Sequence, residues 1–231
     1  MTGTTVRPPA YQLLADELRA EITSGRLQRG ERLPPEPELC VRTGVSRSTV
    51  REALRLLASQ HLIVTTRGVT GGSFVAHPDA AQLSEALSTG LTLLANSAGV
   101  GMADLLELRR ALEVPAAGLA ATRRTDAHLA EVAAALFDPD LDDFHVMLTA
   151  HSLYHAAVAR ATGNPLFELV TKPLYDITCG EEIVDNLPPD YWVRIDTDHR
   201  ELLDCLRRGD PDAATTVARR HLDYIAEAIV R

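Results

Sequence analysis

From residue 80 onward, apolar residues recur at three- and four-residue spacing, with no strand candidate of length. The helical windows are 80–97, 102–122, 126–136, 141–162, 165–178, 190–208 and 211–230. Several boundaries between them carry their own chemistry. Gly163-Asn164-Pro165 offers a stop, an N-cap and a proline suited to the first helical position, and Gly209-Asp210-Pro211 repeats that logic. Stripes of this kind are hidden by packing helix on helix, so an antiparallel all-α bundle of about seven helices is expected.

Residues 1 to 78 read differently. PAYQLLADELRAEITS (9–24) sets Leu14, Leu18 and Ile22 at helical spacing and ends at Gly25. A loop with three prolines and a glycine, LQRGERLPPEPEL, leads to a short helix over 36–43 that stops at Gly44. Ser46 can N-cap a third helix, whose inner face carries Val50, Leu54 and Leu57. The runs IVTTR and SFVAH, separated by GVTGG, read as a hairpin. Pro78 closes this region. The fold class expected is therefore mainly α, with a winged helix-turn-helix at 1–78 and a helical bundle at 79–231.

Bulk properties exclude some classes. No run of eighteen apolar residues exists, and the N-terminal MTGTTVRPPAYQ lacks a secretory core, so a cytoplasmic location is expected. Cys40, Cys179 and Cys205 are isolated and odd in number, which fits three ordinary thiols rather than a disulfide framework. Net charge is −9, unevenly placed: residues 1–77 carry ten Arg against seven acids, whereas the remainder is strongly acidic. A modestly basic part joined to an acidic one is compatible with a nucleic-acid module, though it does not establish one.

GVSRSTVREALRLL (44–57) gathers Ser46, Arg47, Ser48, Thr49 and Arg51 at the start of the third helix. In a helix-turn-helix the N-terminal residues of the second helix of the pair face the bases of the major groove. Arginine can hold guanine O6 and N7 together, and short hydroxyls can reach phosphate oxygens. The competing reading is a solvated, capped helix whose arginines pair with Glu52 or Glu38.

ITSGRLQRGERLPPEPELCVRTGVSRSTVREALRLLASQHLI, followed by RGVTGGSFVAHP, resembles the winged helix-turn-helix of GntR-family transcription regulators. The resemblance implies operator contacts by Arg47, Ser48, Thr49 and Arg51, and by Arg67 and Gly68 at the wing, beside Ser46, which its place at the helix start makes a candidate. One departure stands out: Pro35 and Pro37 replace the serine and arginine that usually flank the glutamate, which removes a DNA contact at position 37.

In the helical part, His151 and His155 are four apart and share one helix face, while His199 and His221 fall on two later helices. Imidazoles from three helices can close around one divalent ion. Buried or surface histidines without metal are the competing reading. LLELRRALEVPAAGLAA, FHVMLTAHSLYHAAVARATGNPLF and DHRELLDCLRRGDPDAATTVARRHLDYI resemble the FCD ligand-binding domain of the FadR subfamily. The resemblance implies a metal on His155, His199 and His221, with His151 standing where an aspartate is usual. A fully histidine set suits zinc or nickel; a site that has lost its metal, with His151 tied up in the core, is the alternative. The resemblance also implies a small organic acid as effector, met by Arg109, against the bland reading that Arg109 pairs with Glu113.

The resulting expectation is a homodimeric repressor, not an enzyme, that binds a palindromic double-stranded DNA operator under control of a small carboxylate bound near a metal. Two rivals are carried: a metal-dependent hydrolase built in the bundle, and a regulator for which the ion itself is the signal. Asp196 and Asp198 flank His199 and are expected to orient its ring.

Overall fold

A computed structural model describes residues 8–68, 71–77, 79–97, 99–178 and 187–230. Pro78, Cys179 and the centre of the wing turn lie outside the described residues. The chain separates into two compact units, Met1–Asp79 and Ala80–Arg231.

The first unit contains α1 (Ala10–Thr23), α2 (Glu36–Thr43), α3 (Arg47–Ser59), β1 (Ile63–Thr66) and β2 (Gly72–Val75). Leu14 and Leu18 of α1 meet Leu39 of α2, Val50, Leu54 and Leu57 of α3, and Ile63 and Val75 of the strands in one core. The strands pair antiparallel in the register Ile63–Val75 to Thr66–Gly72. One feature was not legible in the sequence. The loop before α2 lies along β2: Leu33 N–H donates to Ser73 O at 2.8 Å, and Val75 N–H to Glu31 O at 2.9 Å. The prolines that follow make this segment read as loop, yet its backbone both donates to and accepts from β2.

Gly44 makes the turn between α2 and α3. Its φ of 68° is left-handed, and an added Cβ would meet nothing within 4 Å, so backbone conformation alone favours glycine there.

The second unit runs α4 (Ala80–Ala95), α5 (Met102–Arg123), α6 (Asp126–Ala134), α7 (Phe144–Ala161), α8 (Pro165–Thr178), α9 (Tyr191–Arg208) and α10 (Pro211–Ile229). Among the described residues it has no strand. Asp210 caps α10 as the sequence suggests, its side chain accepting from Ala213 N–H at 3.0 Å, whereas α7 starts at Phe144 rather than 141 because Asp143 caps it, accepting from Val146 N–H at 3.0 Å. Helix α5 packs along α10 through small residues, including Ala117, Ala121, Ala214 and Ala218. At Gly118 an added Cβ would stand 2.7 Å from Thr215 Oγ1, so the two helices approach closely there. No described helix is long and apolar enough to cross a membrane.

Candidate metal centre and nucleic-acid interface

In the first unit, α3 begins at a cap built from its own polar residues. Ser46 Oγ accepts from Thr49 N–H at 3.2 Å and lies 2.8 Å from both Ser48 Oγ and Thr49 Oγ1. Ser46 is thus committed to the cap. Arg47, Ser48 and Arg51 are exposed and Thr49 is half-buried, while Val50, Ala53, Leu54 and Leu57 are buried. The polar edge of α3 therefore faces solvent. Arg51 Nε donates to both oxygens of Glu36, at 3.0 and 3.2 Å, rather than to Glu52 or Glu38. Arg67 and Gly68 are exposed beyond the end of β1. Arg32 Nη2 donates to Gly71 O at 2.5 Å and ties the wing to the segment before α2.

In the second unit, α7 contributes His151 and His155, α9 His199 and α10 His221. All four rings are buried, and one nitrogen of each lies within 4.8 Å of the other three. His155 Nε2 and His221 Nε2 are 3.3 Å apart. Behind each ring sits a carboxylate. Glu113 Oε2 of α5 lies 2.7 Å from His155 Nδ1, and Asp198 Oδ2 of α9 lies 3.6 Å from His221 Nδ1. Asp198 thus faces His221 across the helix pair rather than its sequence neighbour His199, and it is anchored by Arg220 at 2.7 Å. Asp196 is held by Arg200 instead.

His155, held by Glu113 at Nδ1, turns its Nε2 lone pair toward His221, whereas His221 Nδ1, 3.6 Å from Asp198, makes no hydrogen bond among the described residues. A cation between the two Nε2 atoms matches their spacing, because bonds of about 2.0–2.1 Å set at the tetrahedral angle give a nitrogen separation of about 3.3–3.4 Å. His151 and His199 have neither nitrogen within hydrogen-bond reach of a described partner. Such buried orphans are rare without a ligand or water. The four residues therefore fit a divalent ion.

Protonation agrees with ligation. Burial holds His151 and His199 well below the ordinary imidazole range, helped by the neighbouring rings. Burial also lowers His155, against the pull of Glu113, to about 4. Burial would raise Glu113, but Arg109 and His155 overcome it and hold the carboxyl at about 2. At neutral pH His155 is an uncharged donor, so the charge that keeps Glu113 ionised is that of Arg109.

Arg109 is completely buried. Its Nε donates to Glu113 Oε1 at 2.7 Å and its Nη1 to Thr178 Oγ1 at 2.8 Å. The pairing weighed in the sequence is thus present. A small cavity beside His155 and His221 is lined by Glu113, Tyr175, Thr171 and several alanines, and Arg109 is not among its described lining residues. Glu113 was visible as an i+4 partner of Arg109, whereas its contact with His155 spans two helices distant in sequence. The aromatic wall was missed as well: Tyr154 stacks on His199 at 3.8 Å, and Trp192 lies 6.0 Å from His151 between ring centroids.

His61, His77, His128 and His145 stand outside the cage, and His128 serves as a cap with Thr125. Cys205 is buried and Cys40 half-buried, both as free thiols.

A winged helix-turn-helix joined to an all-helical unit with a buried imidazole cage defines a two-domain transcription regulator. Residues 10–75 match the model of bacterial regulatory proteins of the gntR family, and residues 104–224, more than half of the chain, match that of the FCD domain. The chain belongs to the gntR family of bacterial regulatory proteins, in its FCD-containing group, and is a DNA-binding transcriptional regulator rather than an enzyme. It is similar to the HTH-type transcriptional repressor NanR of Edwardsiella tarda (strain FL6-60), 29% identical over 95% of this chain and 85% of that protein. NanR of Citrobacter rodentium (strain ICC168) is also 29% identical, with the same coverage. Among solved structures, Streptococcus agalactiae GntR shares the fold with a TM-score of 0.59 at 24% identity, covering 94% of this chain and 99% of that one.

Proposed function

We propose that the protein is a homodimeric repressor whose affinity for a palindromic operator is set by a small carboxylate held at a zinc or nickel ion in the helical domain. The observation that carries this reading is the 3.3 Å approach of His155 and His221, each backed by a buried carboxylate, beside the orphaned nitrogens of His151 and His199. His151, His155, His199 and His221 would hold the ion, which would supply a positive centre for a carboxylate oxygen. Four neutral ligands leave that centre with its full double charge. Glu113 orients His155 and keeps its Nε2 lone pair turned inward, and Asp198, 3.6 Å from His221 Nδ1, would orient that ring once an ion draws its Nε2.

Arg109 enters as counter-charge to the effector. Glu113 takes its Nε and Thr178 its Nη1, so an effector carboxylate would meet a guanidinium already engaged at two nitrogens. Operator contacts are assigned to Arg47, Ser48, Thr49 and Arg51 in the major groove, with Ser46 capping the helix and Arg67 and Gly68 at the wing. The repressor names of the relatives favour repression. Exposed Leu83, Leu93 and Leu94 on α4 supply an apolar face for pairing of two copies.

The hydrolase reading is disfavoured by Glu113 itself, the carboxylate nearest the cage. Both its oxygens are engaged, one by Arg109 and one by His155, so neither is free to take a proton from water. Gel-shift titration of the intact protein on a duplex enriched from random sequence, before and after chelation and with added carboxylates, tests the proposal. Binding that no metal and no carboxylate alters would refute the regulatory part.

A further inference from the structure

The two prolines that replace the usual serine and arginine around Glu36 remove a DNA contact, but they also fix Glu36. Pro35 is the N-cap of α2, with φ −59° and ψ 151°, and Pro37 occupies the first turn. Proline locks its own φ, so the chain is stiff on either side of Glu36 where it enters α2. From there its carboxylate receives Arg51 Nε through both oxygens, at 3.0 and 3.2 Å. Arg51 is otherwise open: its side chain is 60% exposed, and among the described residues its Nη groups have no hydrogen-bond partner. Arg47, one turn earlier on the same face, has no acidic partner among the described residues.

We infer that Pro35-Glu36-Pro37 is a rigid mount for Arg51, and that Glu36 is a positioning residue for operator specificity. With Nε held, one two-donor edge of the guanidinium remains, formed by Nη1 and Nη2. That edge is the fork that fits guanine O6 and N7. Arg51 is thus set to read a base, whereas unbraced Arg47 is free to adapt to base or phosphate. The chain exchanges a third arginine at position 37 for fixed geometry in one of the remaining two. The gain is bounded. An exposed ion pair contributes little stability, so the mount acts by removing the cost of ordering a long side chain at the interface. This inference rests on the assignment of Arg51 to the operator made above.

The test uses the intact protein and duplexes enriched by it from a random pool, with guanines then replaced one at a time. Arg51→Ala is expected to lower discrimination at one guanine per half-site by roughly 5- to 150-fold. Glu36→Ala is expected to lower discrimination at that same guanine by about two- to five-fold. Its binding to random duplex should stay equal or tighten, because an acid near phosphates is gone. A merely structural role would weaken both kinds of binding and lower Tm, and so would overturn the inference. Sharper discrimination in Glu36→Ala would also overturn it, because Glu36 would then be holding Arg51 away from DNA. If Arg51→Ala itself changes nothing, the assignment of Arg51 to the operator fails. If Arg51→Ala loses discrimination and Glu36→Ala keeps it, only the mount fails.

Discussion

His155 Nε2 and His221 Nε2 face each other at 3.3 Å, from helices α7 and α10, with Glu113 2.7 Å behind the first ring and Asp198 3.6 Å behind the second. His155, oriented by Glu113, and His221 facing it are placed as a pair of ligands. The double variant His155→Ala, His221→Ala is therefore expected to lose bound metal, read by elemental analysis of purified protein. Equal metal in variant and parent would end the site. Trp192, the only tryptophan, lies 6.0 Å from His151, so nickel added to metal-free parent protein should quench its emission.

Asp198→Asn keeps the size of the side chain but removes the carboxylate charge that stands 3.6 Å from His221 Nδ1. Loss of an outer-shell carboxylate costs about 10–100-fold in metal affinity in comparable sites. Competition with a chromophoric chelator measures this, and an unchanged affinity would remove Asp198 from the orienting role.

Arg109 and Glu113 form a buried pair with side-chain exposures of 0% and 8%. Removing one partner strands the other, at a cost of about 3–5 kcal/mol. Arg109→Ala should show that loss in urea unfolding, and Arg109→Met with Glu113→Gln should recover much of it. The double variant would retain DNA binding but respond less to carboxylates. A full response would take Arg109 out of effector recognition.

The metal-free protein should lose stability on mild acidification. Ordinary imidazole titrates near 6.5, whereas burial lowers His155 to about 4 and pushes His151 and His199 well below the ordinary range. The unfolded chain therefore binds more protons than the fold as pH falls below about 6.5. Stability is full above that point and declines by up to about 1.4 kcal/mol per pH unit for each such ring, in the window from about 6.5 down to 4 for His155. Thermal melts of chelated protein across this range check the slope. A flat profile would contradict neutral buried rings.

For the DNA-binding unit, Arg47→Ala is expected to cost about 1–3 kcal/mol of operator affinity if the residue reads a guanine. Gly71→Ala acts differently. Its new Cβ would stand 2.6 Å from Thr66 O and 2.9 Å from Gly68 O, so the wing turn must shift. Operator affinity should fall, with the melting of the helical unit unchanged. Full affinity in Gly71→Ala would show that the wing makes no energetic contribution.

Local chemistry was legible in the sequence. Helix windows, the Ser46 and Asp210 caps and the polar edge of α3 follow from spacing and cap residues, because each depends on neighbours within one or two turns. The four histidines could be nominated as a set on the same ground, aided by the family resemblance. What only the tertiary structure decided is which carboxylate meets which ring, that Glu36 rather than Glu52 or Glu38 takes Arg51, and that residues 31–33 lie along β2. Each of these joins groups distant in sequence, and periodicity carries no information about which faces of separate elements come together. That choice is made by packing, which brings α5, α7, α9 and α10 close enough for a buried charge to find its partner.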